Sequence, residues 1–80
     1  MENLEKYDKA FMEVFELSKE NLNEKLVYQS IQLWDSVGHM SLIAALEDTF
    51  NIMMEMDDII DLSSYEKGKE ILADKYGVSL

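Results

Sequence analysis

The chain has no proline and only three glycines in 80 residues, so it lacks most of the residues that interrupt regular structure. Apolar side chains recur instead at steps of three and four, which is the spacing of one face of an α-helix. In the first segment this face consists of Leu4, Tyr7, Phe11 and Val14. We therefore predict a first helix over residues 3–18.

The next stretch, residues 19–34, is polar at first and then apolar without a clear period. Its apolar part has the composition of a strand, but a lone strand would have nothing to pair with. We predict instead a long connection that packs against the core through Leu26, Ile31 and Trp34.

Three further helices are predicted after this connection. Asp35 is a good N-cap for the second helix, which is apolar around much of its circumference. The segment 56–62 predicts a short third helix. Ser63 or Ser64 is expected to cap the last helix, and Gly77 to end it.

These elements predict an all-α fold, a small four-helix bundle with a long first loop and a short third helix, in a single domain over residues 1–80. The chain has no cysteine, which excludes disulfides, thiolate metal sites and thiol chemistry of its own. So small a chain provides little wall for a deep catalytic pocket, and we expect neither a metal site nor enzyme activity.

The net charge of the chain limits the kinds of macromolecule that it is expected to bind. Seventeen acidic residues against seven lysines give a net charge of −10, which argues against binding to nucleic acid or to anionic membranes. Residues 35–61 carry seven of the acids and no lysine, so proteins with basic patches are the expected partners. The N-terminal residues show no signal-peptide pattern and no apolar run reaches the length of a membrane span, so we expect a cytoplasmic protein.

The motif WDSVGHM, residues 34–40, is open to several interpretations. A Gly-x-Ser-x-Gly nucleophile elbow fails because position 34 is Trp. A Ser36–His39 dyad has suitable helical spacing, but no second histidine or oxyanion hole accompanies it, and a lone His39 is expected at the surface or a helix cap. Two interpretations of Ser36 remain. Its hydroxyl is presented at a helix N-terminus for modification by another enzyme, or Ser36 is only a capping residue. The Asp-Ser pair taken alone favours the capping residue.

The wider pattern resembles the acyl carrier protein family. WDSVGHMSLIAALEDTF follows a long loop after an amphipathic helix and precedes IIDLSSYEKGKEIL, and the resemblance covers nearly the full chain. Its centre is Asp35-Ser36-Val37, where the family has Asp-Ser-Leu. The resemblance implies that coenzyme A donates 4′-phosphopantetheine to Ser36 through a phosphodiester, and that a phosphopantetheinyl transferase recognises Asp35.

On this resemblance the protein is a carrier without catalysis of its own. The thiol of the arm holds an acyl or aminoacyl group as a thioester, so the protein needs no cysteine. Such carriers serve fatty acid, polyketide or peptide biosynthesis. Fatty-acid-synthesis members usually have an acid where this chain has Gly38 and often a small residue where it has Trp34. We therefore expect a dedicated pathway, with an adenylating acyl- or aminoacyl-loading ligase and downstream acyl-transferring enzymes as partners.

The residues expected to contact these partners lie in the lysine-free segment of a monomeric protein. They form an apolar strip with an acidic rim, a pattern typical of helix-mediated interfaces. A different interpretation of the same segment is an unmodified acidic helical adaptor that binds a basic protein through residues 35–61. The strip consists of Val37 and Met40, and the rim of Glu47, Asp48, Asp57 and Asp58.

Overall fold

A computed structural model describes residues 2–80. Within this range the chain forms four α-helices and no strand, which confirms the all-helical prediction, and no helix is long and apolar enough to cross a membrane. The long first loop contains one turn of 3-10 helix, Lys19–Asn21. The helices are α1, Glu2–Phe15; α2, Ser36–Phe50; α3, Met56–Asp61; and α4, Tyr65–Tyr76.

Helix α1 ends three residues before the predicted end. Phe15 is its last helical residue, and Glu16 turns the chain in a left-handed conformation with φ of 56°. The Leu17 N–H then donates to the Met12 carbonyl at 3.1 Å. A single left-handed residue of this kind is a common way to end a helix. Leu17 therefore packs against the core from the loop and not from the helix.

An aromatic cluster fills the core beneath the first loop. Tyr7, Phe11 and Phe15 follow one another along α1 and are buried. Trp34 is fully buried and packs edge-on to Phe11 and stacked on Phe15, with ring centroids 5.6 Å and 5.1 Å apart. Such pairs are worth about 0.5–1.5 kcal/mol each beyond the area they bury. The prediction that Trp34 anchors the loop to the core is confirmed.

The loop also pairs with the segment before α4. The Tyr28 N–H donates to the Ser63 carbonyl at 2.8 Å, and the Tyr65 N–H donates to the Leu26 carbonyl at 2.9 Å. Together they make an isolated antiparallel bridge between Val27 and Ser64. The prediction of a packed connection in place of a strand is therefore confirmed, although one residue of this stretch does find a pairing partner. The bridge fixes the loop at the end of the molecule where α3 meets α4.

Helix α4 has well-defined ends. Of the two candidate serines, Ser64 is the N-cap, and its hydroxyl accepts the Lys67 N–H at 2.9 Å. Gly77 follows the last turn with φ of 66°, as predicted for a C-terminal glycine.

Gly68 lets α4 lie close to α1. A Cβ atom at Gly68 would come within 2.2 Å of the Tyr7 hydroxyl oxygen. That hydroxyl donates to the Tyr65 carbonyl at 2.6 Å, and the Tyr65 hydroxyl donates to the buried carboxylate of Asp8 at 2.5 Å. Burial raises the pKa of both tyrosines well above the ordinary value, so both remain protonated donors.

Candidate functional site

Ser36 is the first residue of α2, and its side chain is exposed. Asp35 caps the helix, as predicted, because its Oδ1 accepts the Gly38 N–H at 2.8 Å. The Tyr28 hydroxyl lies 3.4 Å from the Ser36 Oγ. The hydroxyl of Ser36 therefore stands open to solvent at the positive end of the α2 dipole, where a negatively charged group is stabilised.

The end of the first loop positions Ser36. The Trp34 N–H donates to the Ile31 carbonyl at 3.2 Å, and the Trp34 carbonyl accepts the Gln29 N–H at 3.0 Å. Gln29 has a left-handed conformation, with φ of 68°, so the backbone makes a tight turn before it reaches the buried indole. Because Ser36 follows only two residues after Trp34, this buried ring limits how far the hydroxyl can move.

Gly38 lies in the first turn of α2, directly against the loop. A Cβ atom at this position would lie 1.8 Å from the Leu33 carbonyl oxygen and 3.2 Å from a ring carbon of Phe15. The backbone of the loop thus crosses α2 at a point where no side chain fits. Glycine at position 38 therefore permits a close contact between the loop and the first turn of α2.

His39 lies one turn after Ser36 and connects three parts of the chain. Its Nδ1 accepts the Trp34 indole N–H at 3.0 Å. Its Nε2 is 2.7 Å from the Ile59 carbonyl oxygen of α3 and donates to it. The imidazole and the indole lie nearly in one plane, with an angle of 14° between them, which suits the in-plane hydrogen bond that joins their edges. The expected surface or capping position of His39 is therefore wrong, because the ring is half-buried at the junction of loop, α2 and α3.

A groove opens beside Ser36, between α2 and α3, with a volume of about 400 Å³. The hydroxyls of Tyr28, Ser36 and Ser63 line its margin together with His39, and the remaining lining is apolar. An apolar groove of this size can shelter a short hydrocarbon chain. Its apolar residues are Met40, Met56, Ile59, Ile60 and Leu62.

Val37 and Met40 both lie on the open surface next to the groove. Val37 is 75% exposed and Met40 is 54% exposed, which is unusual for large apolar side chains. Met56 and Ile60 of α3 are also exposed and line the same groove. The predicted two-residue strip is therefore part of a wider apolar surface that spans α2 and α3.

Of the four acids predicted to form the rim, two are exposed to solvent and a third is half-buried. Asp48 and Asp57 are exposed. Glu47 is half-buried, and its Oε2 accepts the Met54 N–H at 2.9 Å, so this carboxylate also fixes the connection that leads to α3.

Asp58 does not lie on this surface, and its assignment as a partner-binding residue is wrong on this point. The residue is only 3% exposed, and its carboxylate turns towards α4. It accepts the Tyr76 hydroxyl at 2.6 Å and pairs with the Lys75 ammonium at 3.3 Å. The hydrogen bond from Tyr76, and then the contact with Lys75, hold the pKa of Asp58 below its usual range although partial desolvation opposes them.

No protein-family model, no curated protein and no solved structure matches this chain. The resemblance to acyl carrier proteins therefore rests on the residues around Ser36 and on their arrangement.

Sequence reasoning missed two contributors to the site, Tyr28 and the bridging role of His39. Tyr28 is eight residues from Ser36 and reaches it only because the loop folds back. The contact between His39 and Ile59 joins residues twenty positions apart, and no local pattern predicts it. The burial of Asp58 had a signal in the four-residue step from Asp58 to the apolar Leu62 at the end of α3, and both residues are buried.

Proposed function

We propose that this protein is an acyl carrier protein whose Ser36 bears a 4′-phosphopantetheine arm. One observation carries the proposal: an exposed serine hydroxyl follows a capping aspartate at the start of α2 and opens onto an apolar groove. The four helices, with a long first loop and a short third helix, are consistent with the bundle of this family. The carrier itself has no catalytic role.

In the transfer, the Ser36 hydroxyl attacks the pyrophosphate of coenzyme A, and a phosphodiester forms as a phosphoanhydride bond breaks. The Ser36 Oγ forms a bond to the phosphorus that bears the pantetheine half of coenzyme A. The bond from that phosphorus to the bridging oxygen of the pyrophosphate breaks, adenosine bisphosphate leaves, and the hydroxyl proton passes to the transferase or solvent. Near the new phosphodiester, the α2 dipole favours the added negative charge. The exposed face of Asp35 is the contact expected for the transferase.

The groove beside Ser36 favours an acyl cargo over an aminoacyl cargo. Its lining is mainly apolar, and burial of a hydrocarbon chain there is favourable by roughly 25 cal/mol for each Å² removed from water. A charged amino group would lose hydration without a carboxylate partner among the lining residues.

The surface around the groove supports docking of basic partner proteins. The exposed apolar side chains of Val37 and Met40 belong to the same segment, residues 35–61, as the exposed acids Asp48 and Asp57, and this segment has no lysine. The partners are a phosphopantetheinyl transferase, an acyl-loading ligase and downstream acyl-transferring enzymes of a dedicated biosynthetic pathway. The protein acts in the cytoplasm as a monomer.

The same exposed apolar and acidic surface also favours a second function, that of an unmodified adaptor which binds a basic protein through residues 35–61. The two functions differ in whether Ser36 is modified. An adaptor needs no change at this hydroxyl, whereas a carrier is inactive without it.

Intact-mass measurement after incubation with coenzyme A and a phosphopantetheinyl transferase of broad specificity separates the two functions. We expect a gain of one phosphopantetheinyl group for the parent protein and none for Ser36→Ala. Ser41→Ala is the matched control, because Ser41 is also an exposed serine of α2 and its loss leaves the gain intact. A parent protein that is never modified, or a Ser36→Ala variant that still is, would remove the carrier proposal.

A further inference from the structure

Tyr28 of the first loop places a phenol hydroxyl at the oxygen atom on which the carrier function depends. Its oxygen lies 3.4 Å from the Ser36 Oγ, in a contact where either atom could be the donor. The two residues are eight positions apart in the sequence, and both line the groove between α2 and α3. A hydroxyl in this place can act on whatever group Ser36 carries.

The phenol is held in place through both its backbone and its ring. The Tyr28 N–H donates to the Ser63 carbonyl at 2.8 Å, which fixes this part of the loop. The half-buried ring packs edge-on against Trp34 and against His39, with ring centroids 6.4 Å and 5.6 Å apart. A side chain that is already fixed loses little further conformational entropy when its hydroxyl binds a ligand. The Tyr28 hydroxyl is therefore a preorganised donor.

The start of α2 offers less to an added negative charge than the helix dipole alone would indicate. Asp35 Oδ1 already accepts the Gly38 N–H at 2.8 Å, and the Asp35 carbonyl accepts the His39 N–H at 2.7 Å. The Asp35 carboxylate is also one residue from Ser36 and repels a second anion there. The lysine-free segment 35–61 supplies no cation to offset this repulsion. A phosphodiester on Ser36 is therefore stabilised by any further donor close to Oγ.

The Tyr28 hydroxyl is the donor best placed for this purpose. His39 has both ring nitrogens engaged, one by the Trp34 indole N–H at 3.0 Å and the other by the Ile59 carbonyl at 2.7 Å. The hydroxyl hydrogen of Ser36 itself is lost when Oγ bonds to phosphorus. The phosphate oxygens are then attached one atom beyond Oγ, which Tyr28 already contacts. Hydrogen bonds to an ionised acceptor are roughly twice as strong as those between neutral groups.

We propose that Tyr28 binds the prosthetic arm, because its hydroxyl donates to the phosphodiester on Ser36 and holds the start of the arm at the margin of the groove. This assignment rests on the proposed carrier function and extends it to a second residue, on the first loop. Modification replaces the neutral Ser36 hydroxyl by a charged partner for Tyr28. The modified protein therefore gains stability through Tyr28, and the phosphodiester loses mobility.

Thermal melts of four proteins test the assignment as a double-mutant cycle: the parent and Tyr28→Phe, each without and with the arm. Tyr28→Phe keeps the ring and its packing, so a purely structural role of the hydroxyl shifts the midpoints of both forms equally. We expect modification to raise the midpoint of the parent by roughly 4–8 °C more than that of Tyr28→Phe, the shift for one hydrogen bond in a domain of this size. The phosphorus NMR line of the phosphodiester should also be narrower in Tyr28→Phe, because the group moves more freely.

Ser63→Ala is the matched control, because it removes another hydroxyl from the margin of the groove and keeps that of Tyr28. Its gain in midpoint on modification should equal that of the parent. Intact mass, measured first with excess transferase, shows separately whether the carrier function fails: a parent that takes up no phosphopantetheinyl group removes both proposals. A parent that is modified but has the same gain as Tyr28→Phe, or the same phosphorus line width, overturns the role of Tyr28 alone.

Discussion

Replacement of Gly38 by alanine is a sharp test of how the first loop positions Ser36. Helix propensity alone predicts that Gly38→Ala in α2 stabilises the protein by about 1 kcal/mol. The structure predicts the opposite, because the new Cβ would lie 1.8 Å from the Leu33 carbonyl oxygen. Observed Cβ contacts essentially never fall below 3.0 Å, so the loop backbone would have to retreat by about 1.2 Å, the difference between these distances.

The expected cost follows from what the loop carries. Leu33 precedes Trp34, whose buried ring cannot follow the shift without losing contact with Phe15. Overpacking of this kind costs up to about 3 kcal/mol, and the helix propensity of alanine returns about 1 kcal/mol. The net loss of about 2 kcal/mol corresponds to a fall in melting midpoint of about 8–16 °C for a domain of this size.

Thermal and urea denaturation followed by circular dichroism measure this loss. Ala44→Gly is the matched control, because Ala44 is exposed on the same helix and reports the cost of glycine there without a clash. That control should lose about 1 kcal/mol. An increase in the midpoint for Gly38→Ala would show that the close contact between Leu33 and α2 does not constrain the loop.

Three further predictions concern charge. The Tyr76 hydroxyl and Lys75 lower the pKa of Asp58 in the folded protein. The ionised Asp58 therefore stabilises the fold at pH values above its unfolded pKa of about 3.9. This stabilisation is lost as the pH falls through the lower pKa of the folded state. Asp58→Asn should therefore lower the melting midpoint at pH 7, with a difference from the parent that shrinks in acid; an equal difference at all pH values would contradict this. Asp48→Lys should slow association with the transferase at low salt more than Glu5→Lys on α1 does, and added salt, which screens charges beyond about 8 Å at physiological ionic strength, should reduce the difference. Equal effects at the two positions would contradict an acidic docking face. Added sodium chloride should also raise the melting midpoint of the parent by screening its net charge of −10, and an unchanged midpoint would show that self-repulsion does not limit stability.

The local signals in the sequence predicted the elements well, because capping and periodicity act over a few residues. The cap at Asp35, the terminal glycine Gly77 and the buried Trp34 each have a residue type whose preference is strong in that position. The one boundary that was clearly misplaced, at the end of α1, depends on a left-handed Glu16. Glutamate has no particular preference for that conformation, so its identity did not indicate the turn.

The contacts that give the site its shape depend on distant residues, and residue types alone do not specify them. The bridge between Val27 and Ser64 requires the loop to fold back across the molecule. Asp57 and Asp58 are adjacent acids, yet one faces solvent and the other faces Tyr76, since successive helical residues point in directions about 100° apart. The tie between His39 and α3 likewise exists only once both helices are in place.

The modification state of Ser36 in protein recovered from the cells that make it tests the carrier function most directly. Tandem mass spectrometry of the peptide that contains Ser36 locates any added group, and the intact mass before and after hydroxylamine treatment reports a thioester on it. We predict one phosphopantetheinyl group on Ser36, with part of the population carrying an acyl group that hydroxylamine removes. A chain whose Ser36 is entirely unmodified in the cell, and which no phosphopantetheinyl transferase modifies in vitro, would contradict the account and favour the adaptor.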